Sequence, residues 1–136
     1  MSDAQSTSAA EMVAEAKGRV QNLSPEQVAA EIDGAEEATL VDIREDDERL
    51  QSGAIPGAVR APRGMLEFWA DPTSPYHREE FSPERRTILY CASGGRSALA
   101  ADTLQRMGYG NVAHLDGGIK AWKEGDRSVE EVHPTQ

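Results

Sequence analysis

Thr87-Ile88-Leu89-Tyr90-Cys91-Ala92-Ser93-Gly94-Gly95-Arg96-Ser97 is the stretch that decides the fold. An apolar, β-prone run ends at Cys91, the only cysteine of the chain. Two small residues, two glycines and an arginine follow, and Ser97 then opens an alanine- and leucine-rich run. That order predicts strand, tight loop and helix, with a thiol at the strand's end and the helix N-terminus aimed back at it. An isolated cysteine reads as a small buried hydrophobe. A core cysteine has no use for Ser-Gly-Gly-Arg directly after it, so the neighbours predict a nucleophile instead. Glycines permit φ > 0, which lets successive N–H groups converge on an anion. The helix beginning near Ser97 adds the positive end of its dipole. Arg96 can supply a permanent charge, or its fork can tie the loop to the protein body.

Magnitudes show what such a site needs. A free thiol with a pKa of about 8.5 is only roughly 3% ionised at pH 7, and lowering it by two units takes roughly 2.7 kcal/mol. A helix terminus offers at most about 2 kcal/mol, so directed N–H groups or a nearby charge must supply the rest. No adjacent general base is required. The three histidines (77, 114, 133) lie outside the motif, and surface or sheet roles account for them.

Outward from this stretch, the helix is expected to run from Ser97 to about Met107, with Gly108 where a C′ glycine belongs. Val112-Ala113-His114-Leu115 reads as a strand, Asp116-Gly117-Gly118 as a turn and 119–123 as a short helix. Upstream, Ser24-Pro25-Glu26-Gln27 combines a capping serine, a proline at the first helical position and a box-closing glutamine, and predicts a helix to about Ile32. Residues 39–43 form a short apolar strand suited to burial on both faces. Residues 44–51 are charged, with room for one helical turn, and 55–59 are a turn leading into an extended segment. Residues 1–8 are expected to fray. Ser8 and Glu11 resemble a capping box, and Met12, Val13, Ala16 and Val20 give an amphipathic helix over 9–20 that docks on the domain or pairs with a partner helix.

The segment 62–83 is irregular, yet carries Phe68, Trp69, Tyr76 and Phe81, so an ordered loop with a helical turn around 64–70 is expected. Phe68 and Phe81 fill the core or line a pocket. Beyond Gly125 the tail is polar and expected to be loose. Strands alternating with helices predict a single parallel α/β domain with active groups beyond the strands' carboxyl ends.

Composition narrows the partners. A net charge of −10 argues against nucleic acid. No apolar run is long enough to cross a membrane, and the polar, acidic start lacks the pattern of a signal peptide. With one cysteine and no export signal, a reducing cytoplasm is the expected home. Residues 60–96 hold six arginines (60, 63, 78, 85, 86, 96) against five acids, a balance of +1 that leaves −11 elsewhere. Either these arginines form a local mouth that attracts a small anion, or they decorate solvent.

Four pieces carry a resemblance: Leu40-Val41-Asp42-Ile43-Arg44; Gly53-Ala54-Ile55-Pro56-Gly57-Ala58-Val59; Tyr90 to Ser97; and Leu115-Asp116-Gly117-Gly118-Ile119 with Ala121-Trp122. In these the chain resembles the single-domain rhodaneses, thiosulfate:cyanide-type sulfurtransferases. The resemblance implies a rhodanese-like domain over 21–126 with a central five-stranded parallel sheet flanked by helices on both faces. It leaves an N-terminal extension with its helix (1–20) and a polar tail (127–136). It implies that Cys91 is the catalytic residue, attacking the outer sulfur of an anionic donor, thiosulfate or a persulfide. A Cys91 persulfide would then pass its sulfur to cyanide or a thiol. Ala92, Ser93, Gly94, Gly95, Arg96 and Ser97 would bind substrate, with Asp42 and Arg44 bracing the site and Arg63, Phe68 and Trp69 walling the pocket. No cofactor or metal is implied. Family members commonly carry histidine where this chain has Ala54, which is expected to alter a structural hydrogen bond only. Dual-specificity phosphatases and arsenate reductases have five residues between cysteine and arginine, and this chain has four, which suits a sulfur atom better than a phosphate. The alternative to an enzyme is a sulfur carrier that relays persulfide between partner proteins with little free turnover.

Overall fold

The computed structural model describes residues 6–34 and 37–134. The expected fraying of 1–8 therefore falls mostly outside the described residues. Along the chain run α1 (Ala9–Lys17), β1 (Gln21–Leu23), α2 (Pro25–Ile32), β2 (Ala38–Asp42), α3 (Asp46–Ser52) and β3 (Val59–Arg60). A 3₁₀ turn (Arg63–Met65) leads into α4 (Leu66–Ala70), followed by β4 (Arg86–Tyr90), α5 (Gly95–Arg106), β5 (Val112–Leu115) and α6 (Gly118–Glu124). The five strands form one parallel sheet in the order β1-β5-β4-β2-β3. This is the predicted α/β architecture, with β4, the strand that leads into Cys91, in the middle.

Alternation along the strands splits the interior into two cores. Leu89 and Cys91 join Val41, Ile43, Val112, α4 and the inner face of α5. Ile88 and Tyr90 join Leu40, Ala113 and Leu115 against α2 and α6. Both faces of β4 are covered, which explains why its sequence is continuously apolar. Burying Leu89 and Leu104 completely makes each worth about 2–5 kcal/mol against alanine.

Both predicted capping boxes form: Ser8 with Glu11, and Ser24 with Gln27. The first helix stops at Lys17 rather than at residue 20, because Gly18 closes it and the chain turns into β1. Val20, beyond that end, still reaches the core. The docking option holds for α1, which packs along α5 and is fastened there by Arg19, whose fork meets both oxygens of Asp102 at 3.0 and 2.8 Å. Charged residues 46–52 make a full short helix, more than the single turn expected. The tail is not loose throughout. Ala54 and Glu130 exchange backbone hydrogen bonds at 2.9 and 2.8 Å, and Ser128 O accepts from the Trp122 indole at 2.9 Å. Among the described residues no helix is long and apolar enough to cross a membrane.

Candidate functional site

Cys91 sits just past β4 and is only 1% exposed. The chain then turns through Ala92 and Ser93 to Gly94, whose φ of 108° belongs to the left-handed region that glycine supplies. That turn brings the Gly94 N–H onto the Cys91 sulfur at 3.2 Å. Helix α5 starts at Gly95, two residues earlier than expected, so the amides of its first turn lie within the loop itself.

A second loop holds this one in place. Ile119 N donates to Cys91 O at 3.0 Å and Lys120 N donates to Ala92 O at 3.1 Å, so the N-terminus of α6 grips two carbonyls of the cysteine loop. Gly118, at φ 63°, lies so close that a Cβ there would fall 2.3 Å from Ala92 O. Asp116-Gly117-Gly118, read from sequence only as a turn, is thus the surface on which the cysteine loop rests.

Arg96 makes the tie to the protein body that its fork allows. Its two terminal nitrogens each lie 2.8 Å from a carboxylate oxygen of Glu48 on α3. The fork ties the loop to the body, and the facing guanidinium holds the Glu48 carboxyl down to about 2. The other arginines of 60–96 are engaged too. Arg60 pairs with Asp46, Arg63 with Glu67 and Arg86 with Glu31. Arg78 lies over the Trp69 ring at 3.9 Å, and Arg85 caps the carbonyls of Glu79 and Glu80. Among the described residues each of these six arginines has an internal partner, and the Arg96 guanidinium also lies near enough to Cys91 to act on the sulfur.

Asp42 and Arg44 form a buried cluster beside the loop. Arg44, 1% exposed, donates to both oxygens of Asp42 at 3.0 and 2.8 Å, to Ser52 Oγ at 2.7 Å and to Gly53 O at 2.6 Å. Asp42 also accepts from Arg49 at 3.1 Å and from the Tyr90 hydroxyl at 2.9 Å. Burial first, then the Asp42 charge, push that hydroxyl well above its usual range. Tyr90 in turn accepts from Ile55 N at 3.0 Å, which anchors the Ile-Pro-Gly turn to the residue before Cys91.

The three residues expected to wall the pocket have three different surroundings. Trp69 is buried in the core that also holds Cys91. Phe68 is 52% exposed and meets Tyr76 edge to face at 6.3 Å. Arg63 faces Glu67 and Thr103. Phe81, read as core or pocket, is core.

A feature absent from the sequence reading lies on the other side of the sulfur. Ser97 Oγ is 3.6 Å from Cys91 Sγ and 2.8 Å from His114 Nδ1, and His114 Nε2 is 2.7 Å from Asn22 Oδ1 on β1. Burial pushes the imidazole down to about 4, so it is neutral at physiological pH. The available signal was a histidine inside an otherwise apolar strand: a polar group buried there must have partners.

A family model described as the rhodanese-like domain matches residues 24–125. The chain belongs to the rhodanese family. Among curated rhodanese relatives, a sulfurtransferase of Allochromatium vinosum is 35% identical over 103 residues, which cover 76% of this chain and 88% of that one. Among solved structures, a protein of unknown function from Rhodopseudomonas palustris, described as a "possible tyrosine phosphatase", is 40% identical with a TM-score of 0.87, covering 96% of this chain and 99% of that one. The thiosulfate sulfurtransferase of Pseudomonas aeruginosa superposes with a TM-score of 0.73 at 29% identity, covering 90% of this rhodanese chain but 22% of that one.

Proposed function

We propose that this chain is a sulfurtransferase that carries sulfane sulfur on Cys91. Membership of the rhodanese family and the named relatives support sulfur transfer in general. The single observation that carries the finer reading is the seat of the sulfur: Cys91 Sγ receives the Gly94 N–H at 3.2 Å inside a four-residue loop that opens α5. A directed amide and a helix N-terminus both favour negative charge at that point. The thiolate attacks the outer sulfur of thiosulfate or a related donor. The donor's S–S bond breaks, sulfite leaves with the electron pair, and a persulfide anion remains on Cys91. An acceptor such as cyanide or a thiolate attacks the terminal sulfur, and the Cys91 thiolate leaves. Gly94 and Ser97 meet this sulfur from within the loop, while Asp42 holds Tyr90, the residue before Cys91, across the β2–β4 pair.

Phosphate chemistry is disfavoured for a reason beyond loop length. Phosphoryl stabilisation of this kind uses a guanidinium fork, and both terminal nitrogens of Arg96 are already on Glu48. The test is thiocyanate formation from thiosulfate and cyanide. Wild-type protein is expected to turn over, and Cys91→Ser to lose at least about 10³-fold, as removal of a covalent nucleophile does. Turnover by Cys91→Ser at the wild-type rate would refute the reading.

A further inference from the structure

The contacts behind Cys91 admit one order of protons. Lys17 O and Val20 O can only accept, so Asn22 turns its amide NH₂ to them, at 2.9 and 3.2 Å, and presents Oδ1 to His114 Nε2. Nε2 therefore carries the ring proton, and Nδ1 of the neutral ring is bare. Ser97 donates to Nδ1 at 2.8 Å, in preference to Gly94 O at 3.3 Å. With its one hydrogen committed, Ser97 Oγ meets the sulfur as an acceptor, and the Cys91 S–H points at it across 3.6 Å.

We infer that His114 is a positioning residue for the Cys91 nucleophile: through Ser97 it aligns the thiol proton and receives one in exchange when the thiolate forms. The S–H bond breaks and its proton passes to Ser97 Oγ, while the original Ser97 proton passes to His114 Nδ1. The negative charge of the new thiolate offsets the burial that keeps the ring neutral while Cys91 holds its proton, and the net charge of the pair does not change. Every link then runs the other way, with Nδ1–H donating to Ser97 and Ser97 O–H donating to the thiolate. Gly94 N–H stays on the sulfur and Asn22 stays on Nε2–H, so no buried group loses a partner. The charged groups acting on His114 are Asp116 and Lys17, which hold each other at 3.0 Å. Arg96, paired with Glu48, acts on the sulfur side. Asn22 and Lys17 precede the family match, so the line ends in a part of the chain that the match leaves out.

The inference rests on Cys91 as the nucleophile but is tested without sulfur transfer. Cys91 is the sole cysteine, so the pH dependence of iodoacetamide alkylation reads it alone. His114→Gln keeps an acceptor for Ser97 and a donor for Asn22 but takes up no proton. His114→Gln and Ser97→Ala are each expected to move the alkylation midpoint up by about one unit, about tenfold in rate near neutrality. The double variant should be no worse than either single one. A folded His114→Gln protein whose profile superposes on wild type, or moves downward, would overturn the proposal. A second measurement needs no variant: nitrogen shifts of His114 in the wild-type protein should report the Nε2–H tautomer, and an Nδ1–H tautomer would overturn it equally. Loss of thiocyanate formation with the alkylation shifts intact would count against the sulfurtransferase reading alone.

Discussion

Cys91 stands between two polar groups of opposite design, one buried around Asp42 and one running from buried Ser97 and His114 out to exposed Asn22. On the β2 side, Asp42, Arg44, Arg49 and Tyr90 form a charged cluster in which the central carboxylate accepts from three side chains. On the β5 side, Ser97, His114 and Asn22 form a neutral line with one bond per link. The cluster is redundant: losing one contact leaves Asp42 with others, so its geometry is held in a single state. The line is reversible, since hydroxyl and imidazole can each exchange donor and acceptor roles. One side of the site fixes position and the other can move a proton.

The largest expected effect breaks the redundant side. Asp42→Asn leaves the Arg44 guanidinium buried without a countercharge and should cost about 3–5 kcal/mol of unfolding free energy, read from the urea midpoint. A loss below about 1 kcal/mol would show that the cluster does not depend on charge. Next comes the neutral line. The folded state holds His114 at about 4 against an ordinary 6.5, so the unfolded chain binds more protons between those values. Stability should therefore fall as pH drops from about 6.5 to about 4, by about 3 kcal/mol in total, and His114→Gln should flatten that slope. An unchanged slope in the variant would assign the acid sensitivity elsewhere. The smallest effect concerns the tie between loop and body. Glu48 is depressed to about 2, so the Arg96 pair contributes fully above about pH 4.5 and is lost as pH falls towards 2. Because both partners are a third or more exposed, Glu48→Gln should cost under about 1 kcal/mol in thermal unfolding at pH 7. A larger cost would mean that the pair orders the cysteine loop as well as joining it.

What could be read in advance follows from what is local. The strand-loop-helix around Cys91 was legible because an apolar run, a glycine pair and an alanine-rich stretch lie in one window. The two capping boxes were legible for the same reason. β1 was missed because Gln21-Asn22-Leu23 has no apolar pattern; it is an edge strand, and β5 supplies its pairing. The Arg96–Glu48 fork joins residues 48 apart, and nothing local links them. In its local sequence His114 is an ordinary sheet residue, since only the packing of β5 against α5 brings Ser97 to it. In the irregular 62–83 segment no periodicity separates buried Phe81 from exposed Phe68.

Asn22 also bears on where the domain should be cut. The family match begins at Ser24. A chain trimmed to that boundary would retain Cys91, its loop, Ser97 and His114, and would still look complete by alignment. It would lose the edge strand residue that accepts from His114 Nε2, together with α1, which covers the first turn of α5. The outermost of the five strands therefore supplies the final link of the line that begins at the central one.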